Sequence, residues 1–199
     1  MAPDFRPILE TLELPLDDEQ VRLLHRHYDL LEKWNARINL TSIRRPEKIL
    51  VRHFGESLFL AKTLPAGARW VVDVGSGAGF PGFPLAVARP EIQVTLVESV
   101  AKKAAFLKEA ARGVPNVFVF PGRFEHLDLC FDWAVVRGVA FEPLAPILLS
   151  KVRGIALLAS RTQGPPALPG VRWQPPVDLP WGRDAVLLLG RCSTWNIGR

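Results

Sequence analysis

Val71-Val72-Asp73-Val74-Gly75-Ser76-Gly77-Ala78-Gly79-Phe80-Pro81-Gly82 decides how this chain is read. Apolar β-branched residues surround one aspartate and then give way to glycines at 75, 77 and 79, the pattern of a buried strand that ends in a tight turn. Without side chains in the way, the turn's N–H groups can approach a ligand closely, which marks a nucleotide site. Gly77, Gly79 and Gly82 also satisfy the GxGxxG spacing of dinucleotide sites, so the glycines alone leave two kinds of cofactor open.

Asp73 separates them. A carboxylate two residues before the first glycine repels a diphosphate and suits a cationic ligand. S-adenosylmethionine, with an ammonium, a sulfonium and no phosphate, is such a ligand. A second acid, Glu98, closes the next strand, Gln93 to Val97, where a carboxylate can accept from two ribose hydroxyls of either cofactor. Outward from these two strands the same alternation continues. Helices are expected at Pro84 to Arg89 and Lys102 to Arg112, and strands at Asn116 to Phe120, Asp132 to Val136, Ile155 to Ala159 and Ala185 to Leu189. Strands alternating with helices predict a mostly parallel sheet covered by helices. Residues 164 to 182, rich in Pro and Gly, read as a surface connection with at most one short strand.

Ahead of the glycine turn the period changes to 3.6. Asp17-Asp18-Glu19-Gln20 opens a helix whose apolar face is Val21, Leu24, Tyr28, Leu31 and Trp34. Pro46 opens a second, with Ile49, Leu50, Phe54, Leu58 and Ala61 on one side. We therefore expect a helical cap over residues 1–66 and a core over 67–199.

The chain has 199 residues, 48% hydrophobic and 23% charged, enough for one packed domain with an appendage. No apolar run approaches the ~20 residues that span a bilayer, and the N-terminus lacks a leader pattern, so the expected setting is cytoplasmic with no membrane partner. Cys130 and Cys192 stand far apart outside any Cys/His cluster, so neither a disulfide framework nor a metal is expected. From Pro143 onward Lys151, Arg153, Arg161, Arg172, Arg183, Arg191 and Arg199 face only Asp178 and Asp184, so the whole net charge of +5 lies in this tail. Such a surface attracts phosphate-bearing partners, although a solvated basic face is the plainer reading of charge alone.

The motif at 73 to 82, with its Phe-Pro-Gly ending, resembles that of the RsmG (GidB) family, 7-methylguanosine methyltransferases of bacterial 16S ribosomal RNA. Lys33-Trp34-Asn35, Asn39-Leu40-Thr41-Ser42-Ile43 and Arg52-His53-Phe54 resemble the family's N-terminal signature. Arg123-Phe124-Glu125 and Val136-Arg137-Gly138-Val139-Ala140 follow in family order. The resemblance implies a class I S-adenosylmethionine-dependent methyltransferase of Rossmann-like α/β fold, with a mostly parallel seven-stranded sheet flanked by helices. It further implies methyl transfer to guanine N7 in 16S rRNA, in the 530 loop, on the small ribosomal subunit. Cofactor contacts are implied at Gly75 and Phe80 and beside the adenine at Phe124 and Glu125, joining Asp73, Gly77, Gly79 and Glu98. Arg137 is implied at the border of cofactor and substrate, and Arg137 and Arg123, both near the cofactor, are the catalytic candidates.

The chain departs from the family at Glu56-Ser57, where Asp-Ser is usual, and at Val136-Arg137-Gly138, where Ser-Arg-Ala is usual. Leu158-Ala159-Ser160-Arg161 stands where Ala-Leu-Lys-Gly is usual, so the family lysine is missing and only Arg161 offers a charge nearby. An ion pair with Asp132 or Glu142 is the plainer reading of Arg137. Guanine N7 has a lone pair and no proton, so no general base is needed. His25 and His27 are accordingly expected on the surface of the first helix, His126 in a loop, and His53 as an orienting or packing group. Arg44, Arg45, Lys48 and Arg52 of the cap, with Arg161 and Arg172, are the expected RNA contacts. The chain is expected to act as a monomer. Other readings are a small-molecule or protein acceptor, a non-catalytic cofactor- and ribosome-binding module, and an NAD-dependent oxidoreductase.

Overall fold

A computed structural model describes residues 3–182 and 185–193. Arg183, Asp184 and Arg199, counted above in the basic tail, lie outside the described residues. The leading helices are α1 (Arg6–Leu12), α2 (Asp18–Asn35), α3 (Pro46–Ile49) and α4 (Glu56–Thr63), the last two joined by a π-helical turn over Leu50–Gly55. The core follows as β1 (Trp70–Val74), α5 (Gly82–Ala88), β2 (Gln93–Val97), α6 (Ala101–Ala111), β3 (Val117–Phe120), β4 (Phe131–Arg137), α7 (Ala145–Lys151), β5 (Val152–Ser160), β6 (Val171–Trp173), β7 (Val177–Asp178) and β8 (Ala185–Cys192).

The strands form one sheet in the order β3-β2-β1-β4-β5-β8-β6, with β7 also paired to β8. Pairs among β3, β2, β1, β4 and β5 are parallel and every pair with β8 is antiparallel. The sheet thus has eight strands rather than seven. The extra one comes from the Pro/Gly-rich stretch, which carries both β6 and β7. Neither strand exceeds three residues, too short to leave a period in the sequence.

Alternation along the strands divides the core in two. Val71, Val94, Leu96 and Val135 face the cap helices and α5 and α6. Val72, Val74, Ala134 and Val136 face Phe124, Phe141 and Leu148 on the other side. Asp17 accepts from the Gln20 amide while Gln20 Oε1 accepts from the Asp17 amide, a reciprocal cap that starts α2 where the sequence places it. α1 was not anticipated. Its seven residues bury only Ile8 and Leu12 and span too few turns to display a face.

Cap and sheet share one apolar cluster, because Phe5, Tyr28 and Phe54 of the cap pack into the same mass as Phe80 and Phe83 after β1. His27 sits in the middle of it. The expectation of a surface residue fails because position 27 lies beside Leu24, Tyr28 and Leu31 on the buried side of α2. Its ring is fully buried against Phe54, Phe80, Phe83 and Phe106. His25 is half-buried with its ring edge-on to Phe5, so it too leaves the open surface. Truncating the fully buried Phe54 removes a ring shared by both parts. Phe54→Ala should lower the unfolding free energy by about 3–5 kcal/mol in one cooperative urea transition. A separate early transition would show that cap and core unfold independently.

Candidate functional site

The glycine turn follows β1 at the edge of the sheet where all five parallel strands end. Gly75 has a φ of 77°, and a Cβ there would fall 2.6 Å from Val139 Cγ1, so glycine is required both by the turn and by the chain leaving β4. At Gly82 a Cβ would meet Leu96 and the Asp73 side chain at 2.5 and 2.7 Å. Asp73 lies beneath the turn. Its Oδ2 accepts from the Gly82 amide at 2.8 Å, and Ser76 Oγ donates to its carbonyl at 2.9 Å.

The carboxylate expected beside the ligand is thus tied beneath the turn. It is fully buried, its Oδ1 has no partner among the described residues, and burial pushes its carboxyl up to about 7. Glu98, also buried, ties the turn from the end of β2. Its Oε2 accepts from the Gly77 amide at 2.9 Å and its Oε1 from the Val100 amide at 2.8 Å. Each oxygen retains a lone pair for a hydroxyl donor. The Gly77 N–H, which a diphosphate would need, is already held by a carboxylate.

From the cap side, His27 Nε2 donates to the Ala78 carbonyl at 2.9 Å and fixes the middle of the turn. Phe80 stacks on His53, with ring centroids 4.7 Å apart and planes 15° apart. Arg137, at the end of β4, donates through Nη1 to His53 Nδ1 at 3.1 Å and pairs through Nη2 with Glu56 Oε2 at 3.2 Å. Its partner is Glu56 of α4, and neither Asp132 nor Glu142. Asp132 is turned away to the Arg69 and Trp70 amides and Arg153. Because Arg137 can only donate, His53 is neutral with its proton on Nε2, which donates to Thr41 Oγ1 at 2.7 Å. Burial, with Arg137 beside it, pulls His53 down to about 3, which suits an orienting group and no base. Arg52 Nε completes the cluster on Glu56 Oε1 at 3.1 Å.

Next to this cluster opens a cleft of about 840 Å³, lined by Arg52, Glu56, Arg137, Val139, Ser160 and Gln163 among others. Phe124, expected beside the adenine, does not line this cleft. It is buried in the second core cluster, with Lys151 Nζ 5.5 Å from its ring, donating to the Glu125 carbonyl. Arg123 and Glu125 are exposed on either side of Phe124 and form no pair with each other. Of the two catalytic candidates, Arg123 precedes the Phe124–His126 turn and Arg137 ends β4. They stand at the ends of different strands, and only Arg137 lines the cleft. His126 lies in the short 3-10 turn Phe124–His126.

Arg44, Arg45 and Lys48 are exposed at the start of α3. Arg161 follows β5 and pairs with Asp178 of β7, so the charge nearest the missing lysine is directed across the sheet edge. Arg172 is exposed on β6. The sequence reading missed Lys151 as the brace beneath residues 124–127, Val139 against Gly75, and Thr41 behind His53. Thr41 and Val139 stand in motifs quoted above and Lys151 in none, but no motif displays these roles, since each acts through a contact distant in the chain. Among the described residues no group of His, Cys, Asp and Glu is arranged to hold a metal, and no helix is long and apolar enough to cross a membrane.

A family model described as rRNA small subunit methyltransferase G, or GidB, matches residues 20–158. The chain belongs to the GidB family. Relatives named ribosomal RNA small subunit methyltransferase G include that of Nitrosomonas europaea, 53% identical over 62% of this chain and 57% of its own length. That of Chromobacterium violaceum is 46% identical over 59% of this chain and 56% of its own length. The match therefore spans little more than half of these two relatives. Among solved structures, a SAM-dependent methyltransferase from Aquifex aeolicus is 17% identical, with a TM-score of 0.55, over 73% of this chain and 93% of that one. Magnesium protoporphyrin IX methyltransferase from Synechocystis PCC 6803, with bound SAM, is 16% identical with a TM-score of 0.58, over 90% of this chain and 99% of that one. The GidB chain thus has the class I, Rossmann-like fold of these methyltransferases.

The raised Asp73 makes a pH prediction. A carboxyl that stays protonated to about pH 7 when folded, but ionises near 3.8 when unfolded, stabilises the fold at low pH, and that contribution is lost as pH rises through 7. The lowered His27 and His53 act in the opposite sense, their contributions being lost as pH falls from about 6.5 to about 3. Comparing wild type with Asp73→Asn cancels them. Urea midpoints at about pH 4 and about pH 8 should show the variant gaining on wild type at the higher pH. A difference independent of pH would contradict a raised Asp73.

Proposed function

We propose that the chain is an S-adenosylmethionine-dependent methyltransferase that modifies N7 of a guanine in 16S rRNA, in the 530 loop, acting in the cytoplasm on the small ribosomal subunit. The observation that carries this reading is the Glu98 carboxylate on the Gly77 amide, within a chain of the GidB family. A carboxylate there competes with and repels a diphosphate, while leaving lone pairs for ribose hydroxyls, which favours S-adenosylmethionine over a dinucleotide. The residues present fit such a ligand. Glycine at 75, 77 and 79 keeps side chains off the turn, Glu98 would accept from the sugar hydroxyls, and Glu125 would lie toward the adenine.

Bound S-adenosylmethionine supplies a methyl carbon on a cationic sulfur, which the N7 lone pair displaces in line. The protein's part is to position and to exclude water. Phe80 and His53 form a stacked aromatic floor between the turn and the cap. Arg137 has a side chain only 16% exposed and is clamped by Glu56 and His53, so its guanidinium keeps a fixed direction at the cleft, where it can hold a guanine edge or a phosphate. Arg44, Arg45 and Lys48 add phosphate contacts at the approach from the cap.

Methyl transfer from labelled S-adenosylmethionine to small subunits lacking the modification tests this reading. Label is expected as 7-methylguanosine in the 530 loop. Cofactor binding without label would turn the reading toward another acceptor or a non-catalytic binder. Arg137→Lys cannot reproduce the two-sided clamp and should lower the transfer rate about 10²-fold while the fold is retained. An unchanged rate would remove Arg137 from the site.

A further inference from the structure

Beside the large cleft lies a second chamber of about 170 Å³, lined by Val51, Arg52, Glu56, Leu179, Trp181, Gly182 and Ala185. Arg52, Glu56 and Ala185 line both spaces, so they form the partition between them. Trp181 rests on the π-helical turn of the cap. A Cβ on Gly55 would fall 3.1 Å from its six-membered ring, so glycine lets the indole lie against the backbone. The ring is only half-buried, and it lines the chamber. In the partition, Arg52 engages Glu56 through Nε, and its terminal nitrogens make no hydrogen bond among the described residues. Its side chain is 46% exposed.

An aromatic surface, a cation with open donors and a larger polar cleft therefore follow one another. A single-stranded RNA presents the same sequence of features as base, phosphate and base. A nucleotide drawn out of a stack for chemistry also leaves its neighbour in need of a new stacking surface. We propose that the Trp181 chamber is a subsite for the nucleotide adjoining the acceptor guanosine, its base against Trp181 and the phosphate between the two on the terminal nitrogens of Arg52. This rests on the RNA reading above. It adds a contact one nucleotide away, supplied by Trp181 and the cap together.

Binding of fluorescent single-stranded oligoribonucleotides with one guanosine, to the full chain with S-adenosylhomocysteine, tests it. Removing the base on one side of the guanosine should weaken binding to wild type about 10-fold, and on the other side much less. Trp181→Ala should lose the same factor with the intact oligonucleotide and lose nothing further with the abasic one, and Trp181→Phe should restore most of the affinity. The abasic comparison needs no variant, so it decides even if Trp181→Ala fails to fold. Wild-type binding insensitive to abasic sites on both sides, or independent losses in the double combination, would overturn the subsite alone. Absence of any oligonucleotide binding by a chain that binds S-adenosylhomocysteine would overturn it together with the RNA reading.

Discussion

The glycine turn after β1 is held open by two carboxylates, and the rest of the site depends on that. Asp73 ties the Gly82 amide from beneath, and Glu98 ties the Gly77 amide from the neighbouring strand. A glycine-rich turn left to itself would lose much conformational entropy on ordering. Here the loss is met by hydrogen bonds to acidic groups, roughly twice as strong as neutral ones when ionised. Burial pushes the Asp73 carboxyl up to about 7, while Glu98, also buried, holds the Gly77 and Val100 amides.

The second constraint joins cap to core. Arg137 leaves β4 and is gripped by Glu56 and His53, both on the cap, while His27 reaches from α2 to the Ala78 carbonyl. Breaking a buried pair of this kind leaves an uncompensated charge, worth about 3–5 kcal/mol. The cap is therefore part of the site's wall. The position of Arg137 at the cleft is set by residues more than eighty positions earlier in the chain.

What the sequence displayed was what has a local period or motif. β1 and β2 were legible, β2 to the residue, because a short β-rich run bounded by turn residues has few alternatives. The start of α2 was legible through its cap. The family resemblance pointed to Gly75, Glu98 lay at a strand end, and Arg137 sat in a motif. Their partners were hidden. His27 reads as one polar residue on an amphipathic helix, and only the packing of Phe54, Phe80 and Phe83 around it reveals that it is buried. The partner of Asp73 was hidden for the same reason. Its place before the turn was visible, but whether it pointed to the ligand or to the Gly82 amide is a matter of tertiary register. Phe124 likewise turned inward, as Lys151 holds its turn onto the core.

The account stands or falls on what the braced turn accepts. Calorimetric titration of wild type and Glu98→Gln with S-adenosylhomocysteine and with NAD measures this directly. Glutamine keeps only one acceptor oxygen, so it cannot hold both the Gly77 and Val100 amides. The account predicts that wild type binds S-adenosylhomocysteine and not NAD, and that Glu98→Gln binds it about 10-fold or more weakly. Tighter binding of NAD, or an affinity unchanged by Glu98→Gln, would contradict it.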